Sequence, residues 1–329
     1  MAVKKPLISI VTPVFNEAET VDSFYTAVKK ELEILSEKYD YEIIFTDNRS
    51  TDNTFQKLQA IAVKNARVRI ARFSRNFGYQ KSIFTGYCLA DGDCAIEIDC
   101  DLQDPPCLIH DFIAKWNEGY QVIYGVRLDR EEGWVMIKMR ECFYRLINFL
   151  SEDPLPLNVG DFRLVDRKVL NQIKKCYDAS PYLRGAIANF GFNQTGIPYK
   201  RAQRVKGHSK FNASALWGLA VDGIVNHSIV PLRLATFIGF LIAIFLIFYF
   251  GGLWILTLTV GMEWPRGLAT SYVLMLIGIS LNALFLGIIG EYIGRIYRQV
   301  KMQPVTIIDQ MVNFESHNHL PPQGDLRIF

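Results

Sequence analysis

No GxGxxG follows the first strand-like run and no GxxxxGK[ST] occurs anywhere, so neither dinucleotide binding nor P-loop phosphate chemistry has its main support. Paired CxxC motifs are missing too. The six cysteines (Cys88, Cys94, Cys100, Cys107, Cys142 and Cys176) stand apart, which excludes a zinc ribbon or a disulfide framework and suits reduced, core-packing thiols. Neither sign of charge dominates. A net charge of +3 over 329 residues, half of them hydrophobic, fits neither a disordered polyelectrolyte nor a nucleic-acid binder held by charge. Repeats and low-complexity tracts are absent. The start, "MAVKKPLISIVTP", has only a short apolar stretch broken by Pro13, so no export signal is expected.

Charge itself is missing from two long runs. Leu234–Val260 has 27 residues without a formal charge, and Gly267–Gly290 has 24 more. At about 1.5 Å rise per residue, a helix of either length covers a hydrocarbon core of about 30 Å. Buried helices of a soluble core are the alternative, but such helices rarely run this far without a polar face. The short link "GMEWPRG" carries Trp264, an interfacial type of residue, so the runs predict a transmembrane hairpin at about 234–260 and 267–290. Arg233 precedes the hairpin, and Arg295, Arg298 and Lys301 follow it. Positive flanks face the cytoplasm, which places residues 1–230 and the tail 293–329 there. The last 25 or so residues, polar and containing Pro321 and Pro322, are expected to be loosely ordered.

Ahead of the hairpin, strand and helix signals alternate. "LISIVTPVFNE" reads as a buried strand, then a helical pattern runs from Asn16 or Glu17 to Tyr39. "YEIIFTD" is a second strand, "NRSTDNT" a capping turn, and 55–62 a second helix. "VRIARFS", "YQKSIFTGYCLA" and "CAIEID" continue as strand, helix and strand. Such alternation predicts an α/β domain with a mostly parallel, Rossmann-like sheet, whose ligands gather at the carboxyl ends of the strands.

At one of those ends, "CAIEIDCDLQDPP" places Asp99, Asp101 and Asp104 within six residues. Carboxylates one residue apart on an extended chain point to opposite faces, so Asp99 and Asp101 converge only if the strand turns between them, as Pro105 and Pro106 favour. A converged pair of hard oxygens suits Mg2+ or Mn2+; a solvated turn is the plain alternative. Asp104 is expected to cap the helix that starts at Pro105.

The series "VTPVFNE", "DNRSTDNT", "SRNFGYQKS", "EIDCDLQDPP", "GDFRLVDRKV" and "RVKGHSKFN", followed by two spans, resembles the family 2 glycosyltransferases of GT-A fold. Within that family it resembles the bacterial polyprenyl-phosphate (bactoprenol) glycosyltransferases, from Leu7 to about Pro304. The resemblance implies a divalent metal on the donor diphosphate at Asp99 and Asp101, with Gln103 nearby. It implies a nucleotide-sugar site of Pro13, Phe15 and Glu17 with the turn after the second strand. That turn departs from the family's Asp-Gly-Ser by reading Asn48-Arg49-Ser50. Asn48 can accept from a base N–H without charge, or Asp47 takes over by a one-residue shift.

Lys200–Lys210 holds five basic residues and no acid. Within it Arg204, Ser209 and Lys210 match the family's Arg-x-x-Gly-x-[Ser/Thr]-Lys loop, which implies capture of the acceptor phosphate. Arg127 in "YGVR" and Arg163 in "GDFRL" are further phosphate candidates, with salt-bridged structural arginines as the alternative. Asp161 is the carboxylate nominated near the reacting centre, for sugar hydroxyls, weak base work or a structural bond near Arg163. Trp134–Leu150 and residues 213–229 read as interfacial helices or as ordinary core helices.

Together these imply inverting hexose transfer, from a nucleotide sugar such as UDP-glucose to undecaprenyl phosphate, at a bacterial inner membrane. The interface stretches and tail could support a homo-oligomer. Two rivals stand beside it: a processive polysaccharide synthase, which would carry a Gln-x-x-Arg-Trp motif not found here, and a non-catalytic nucleotide-sugar-binding scaffold.

Overall fold

Leu7–Val14 forms β1, and Asp40–Asp47 pairs beside it as β2, in parallel and in register from Leu7↔Asp40 to Val14↔Asp47. A central strand covered on both faces must be apolar along its whole length, as "LISIVTPV" nearly is. The computed structural model describes residues 5–128, 159–176, 181–201, 230–260, 268–301 and 303–314. The interfacial-helix expectations at 134–150 and 213–229 lie outside them, as do Arg204, Ser209 and Lys210.

The described residues form two units. The first holds α1 (Val21–Leu35), α2 (Thr54–Lys64), β3 (Val68–Phe73), α3 (Tyr79–Leu89), β4 (Cys94–Glu97), α4 (Leu108–Asn117) and β5 (Val122–Leu128) after the first strand. It continues with β6 (Val159–Asp166), α5 (Arg167–Ile173), α6 (Leu183–Asn189), β7 (Gln194–Lys200) and, far along the chain, β8 (Ile308–Val312). The sheet order is β7-β5-β6-β4-β1-β2-β3-β8. β6 and β8 run against the other six strands, so the sheet is mostly parallel, as predicted. Helices cover both faces. α1 buries Val21, Phe24, Val28 and Leu32, a 3.6-residue stripe, against one face with Phe45 and Phe112. On the other face α3 and α5 bury Ile83, Phe84, Tyr87, Val169 and Leu170. α3 packs so close to the sheet that a Cβ on Gly86 would lie 2.3 Å from Val11 Cγ1.

The second unit contains α7 (Val230–Val260) and α8 (Leu268–Val300), both long and apolar enough to cross a membrane. Their large side chains, among them Phe240, Phe248, Leu276 and Leu286, are exposed, unlike those of core helices in a soluble protein. α8 continues ten residues beyond the expected end at 290.

The first part of the expected loose tail is ordered, while its remainder, with Pro321 and Pro322, lies outside the described residues. Residues 303–314 are not loosely ordered. β8 adds to the β3 edge, Thr306 is fully buried with its hydroxyl 2.8 Å from that of Thr85, and Asn313 Nδ2 donates to the carbonyls of Ala62 and Val68. An open strand edge offers unpaired N–H and C=O groups, and this segment satisfies them.

Candidate active site

The carboxyl ends of β1, β2 and β4 meet at one edge of the sheet because the three strands are parallel neighbours. β1 leads into Phe15, Asn16 and Glu17. Asn16 takes a left-handed conformation, φ 56°, and its side chain accepts from Thr51 N at 2.8 Å while its own N–H donates to Ser50 Oγ at 3.0 Å. Glu17 N donates to Thr54 Oγ1 and its carboxylate accepts from the Thr20 hydroxyl, each at 2.8 Å. These bonds tie the loop after β1 to the turn after β2.

In that turn Asp47 is fully buried, and its Oδ1 accepts from Ser50 N at 3.0 Å and the Ser50 hydroxyl at 2.5 Å. Burial pushes its carboxyl up, against the Ser50 bonds and the Arg72 guanidinium, whose Nε lies 3.3 Å away. Asp47 therefore holds the turn closed. Asn48 accepts from Phe77 N at 3.3 Å and donates to the Gly78 carbonyl across 3.5 Å. An aspartate there could accept from Phe77 but not donate to Gly78, so the amide suits its neighbours.

Past β4 the strand turns, with Leu102 at φ 57°, and the acids crowd. Asp99 accepts from the Tyr79 hydroxyl at 2.8 Å. Burial first, then the Asp101 charge, push its carboxyl up to about 7 despite that bond. Asp99 and Asp101 thus lie close enough for each charge to be felt by the other. Asp101 Oδ1 accepts from Gln103 N at 3.1 Å. Glu97, which the sequence reading passed over, sits on β4 only 1% exposed with Oε2 unbonded, and burial followed by Asp99 and Asp161 hold it protonated far above its usual range.

On β6, Asp161 is buried and gripped by Arg184 of α6, from Nε at 2.9 Å and Nη2 at 2.5 Å. Burial acts to raise the Asp161 carboxyl, but the Arg184 guanidinium, aided by Arg163 and Gln80, outweighs it and holds the group below its ordinary value.

The glycosyl transferase family 2 profile matches residues 9–174, which span all of these groups except Arg184. The chain belongs to glycosyl transferase family 2. A prophage-derived bactoprenol glucosyl transferase of Shigella flexneri is 39% identical over 303 residues, covering 92% of this chain and 97% of that one. A prophage bactoprenol glucosyl transferase homolog of Escherichia coli K12 is 37% identical over 305 residues, with 92% and 99% covered. An uncharacterized glycosyltransferase of Synechocystis is 37% identical over 310 residues, with 94% and 96% covered.

This family 2 glycosyltransferase has a GT-A-like sheet, and its strand ends bring together Pro13, Phe15, Glu17, Asp47 and Asn48 on one side and Asp99, Asp101 and Gln103 beside them. Among the described residues no three His, Cys, Asp or Glu side chains form a cluster that would hold a metal alone. The donor set nonetheless fits a divalent ion. Asp99 and Asp101 offer hard carboxylate oxygens at the strand end, and with the donor's phosphates and water they make the kind of ligand set that Mg2+ or Mn2+ prefers.

Asp104 does not cap α4, whose N-cap position is Cys107. Buried at 1% exposure, it accepts a short hydrogen bond from the Tyr199 hydroxyl and pairs with Arg127 at 3.6 Å and Arg201 at 3.4 Å. Two cations nearby outweigh a free helix N–H as partners for a buried carboxylate. Arg127 is thus fixed at the end of β5, with Nε 3.2 Å from Tyr199. Arg163 is 4% exposed and donates to the carbonyls of Gly160 at 2.8 Å and Asp161 at 3.3 Å, a structural role. No local signal in the sequence marked Arg184, Tyr199 or Arg201 as partners of these acids.

Proposed function

We propose that this glycosyltransferase moves glucose, with inversion, from UDP-glucose to undecaprenyl phosphate at the cytoplasmic face of a bacterial inner membrane, spanning it with α7 and α8. One observation carries the reading: relatives named bactoprenol glucosyl transferase align with 92% of this chain, a share too large to leave out both apolar helices.

The chemistry asks little of a base. A phosphate monoester has a second pKa near ~6, so the acceptor is largely dianionic at neutral pH. One of its oxygens bonds to the anomeric carbon while the bond to the nucleotide's β-phosphate oxygen breaks, and the electron pair leaves with the diphosphate. No proton has to move. Asp99 and Asp101 would hold a divalent ion, which would offset the negative charge of the departing diphosphate. Asp161, kept ionised by Arg184, orients a sugar hydroxyl rather than taking a proton. Arg127, with Arg204, Ser209 and Lys210, holds the acceptor phosphate in line behind the anomeric carbon, and alignment of that kind supplies much of the acceleration. Pro13, Phe15, Glu17 and Asn48 receive the nucleoside.

The test is transfer of labelled glucose from UDP-glucose to undecaprenyl phosphate by the purified full chain with Mg2+. Label in the lipid fraction with the anomeric configuration inverted is the expected result. Absence of transfer from every common nucleotide sugar refutes the proposal and favours the scaffold reading.

A further inference from the structure

The turn after β2 holds a long side chain in a strained backbone conformation. Arg49 takes a left-handed conformation that favours glycine, φ 63°. A long side chain in that region persists only where its surroundings hold it. Here the holding group comes from the other end of the chain. Arg49 Nη1 lies 2.5 Å from Asp309 Oδ2.

Asp309 is aimed by the backbone. In the β3–β8 ladder Arg72 faces Gln310 and Phe73 faces Ile308, so Asp309 is the extra residue of a bulge. Bulges re-aim a side chain out of the regular alternation, and this one delivers a carboxylate to the donor-side turn. The strand is anchored just before it, by Ser74 N donating to Ile307 O at 2.9 Å and by the buried Thr306–Thr85 contact, and after it by Asn313 Nδ2 donating to the carbonyls of Ala62 and Val68. Arg72, which faces β8 in the ladder, also reaches the turn, with Nη2 3.4 Å from Ser50 O and Nε 3.3 Å from Asp47.

We propose that Asp309 is a positioning residue for the nucleotide: through Arg49 it fixes the left-handed turn that presents Asn48 to the donor's base. The proposal rests on the donor site assigned above. The clasp replaces what a glycine would supply without help. Its two side chains are 45% and 41% exposed, so its strength is that of a surface pair and its effect is geometric rather than a matter of global stability.

The experiment is a double-mutant cycle on the full chain in detergent, with Arg49→Gly, Asp309→Asn and both together. UDP affinity with Mn2+, KM and kcat for UDP-glucose, and amide hydrogen exchange of residues 48–51 are measured for each. Asp309→Asn is expected to weaken UDP binding and raise KM by about threefold, leave kcat unchanged and speed exchange in the turn, with the gap closing in about 1 M salt. In the Arg49→Gly background the same change is expected to do nothing, because glycine holds the conformation unaided. Exchange and affinity equal to wild type in Asp309→Asn overturn the inference, as does an equal loss in the glycine background. The exchange arm needs no nucleotide, so a wild type that binds no UDP counts against the assigned donor site while the clasp is still decided.

Discussion

Replacing Arg184 by methionine removes both hydrogen bonds to a carboxylate that is itself 5% exposed. Breaking a fully buried pair costs about 3–5 kcal/mol, because the surviving charge stays buried without its partner. Arg184 is 37% exposed on its side chain, and water can replace part of what it gives, which brings the expected cost to about 2–3 kcal/mol. For a domain of this size that is a fall in Tm of roughly 5–10 °C. The pH dependence identifies the cause. In the wild type the depressed Asp161 pKa means the pair contributes stability above the ordinary carboxylate value, lost as pH falls through the lower folded value. In Arg184→Met burial is opposed only by the weaker Arg163 and Gln80, so the Asp161 pKa rises. The penalty is then largest at neutral pH and shrinks as the carboxyl takes up its proton. Tm of the two proteins in detergent, followed by intrinsic fluorescence from pH 8 to pH 5, should converge towards the acid side. Adding Asp161→Asn to Arg184→Met should recover most of the loss at neutral pH. A Tm difference that is flat with pH, or a double variant no more stable than Arg184→Met, would refute the assignment of Arg184 as the counter-charge.

Asp101→Asn should lower glucosyl transfer by roughly a hundred- to a thousandfold while resistance to alkaline extraction from membranes stays intact; transfer within a factor of two of wild type would remove Asp101 from the metal site. Gly160→Ala places a methyl 2.6 Å from Arg127 Nη2, so the guanidinium must retreat by about 0.8 Å to reach ordinary contact. KM for the lipid acceptor should rise roughly tenfold, and an unchanged KM would release Arg127 from the acceptor site. Thiol labelling at pH 8 should modify exposed Cys107 first and leave Cys88, whose thiol burial pushes up to about 12, unmodified in the native protein; equal rates at the two sites would contradict that burial.

The strands β1 to β4 and the helices between them were readable because each carries its signal locally. Buried parallel strands are apolar throughout, and α1 repeats its apolar face at the helical period. The placement of Asp99 and Asp101 followed from the same logic, since ligands collect where parallel strands end. Partners were not readable. Tyr199 reaches Asp104 across 95 positions, and Arg184 reaches Asp161 across 23, joining elements whose own periodicities say nothing of each other. The β8 segment misled for a related reason. "IDQMV" exposes most of its side chains and has little apolar alternation, so it reads as coil; its order comes from the unpaired edge of β3 and from anchors on either side of it. Asp104 shows the complementary error, a local rule about helix starts giving way to stronger distant charges.

The β3–β8 pairing sets a timetable for biogenesis. Asn313 Nδ2 meets the Val68 carbonyl across 245 positions, with both apolar helices encoded between them. At about 5–20 residues per second, the ribosome spends roughly 10–50 s between the two strands. During that interval the β3 edge of the nascent sheet is open and the donor turn has no Asp309. The catalytic sheet is completed only once the hairpin has been synthesised. A truncated or stalled chain would therefore carry an exposed edge, a handle by which chaperones and proteases could tell unfinished molecules from finished ones.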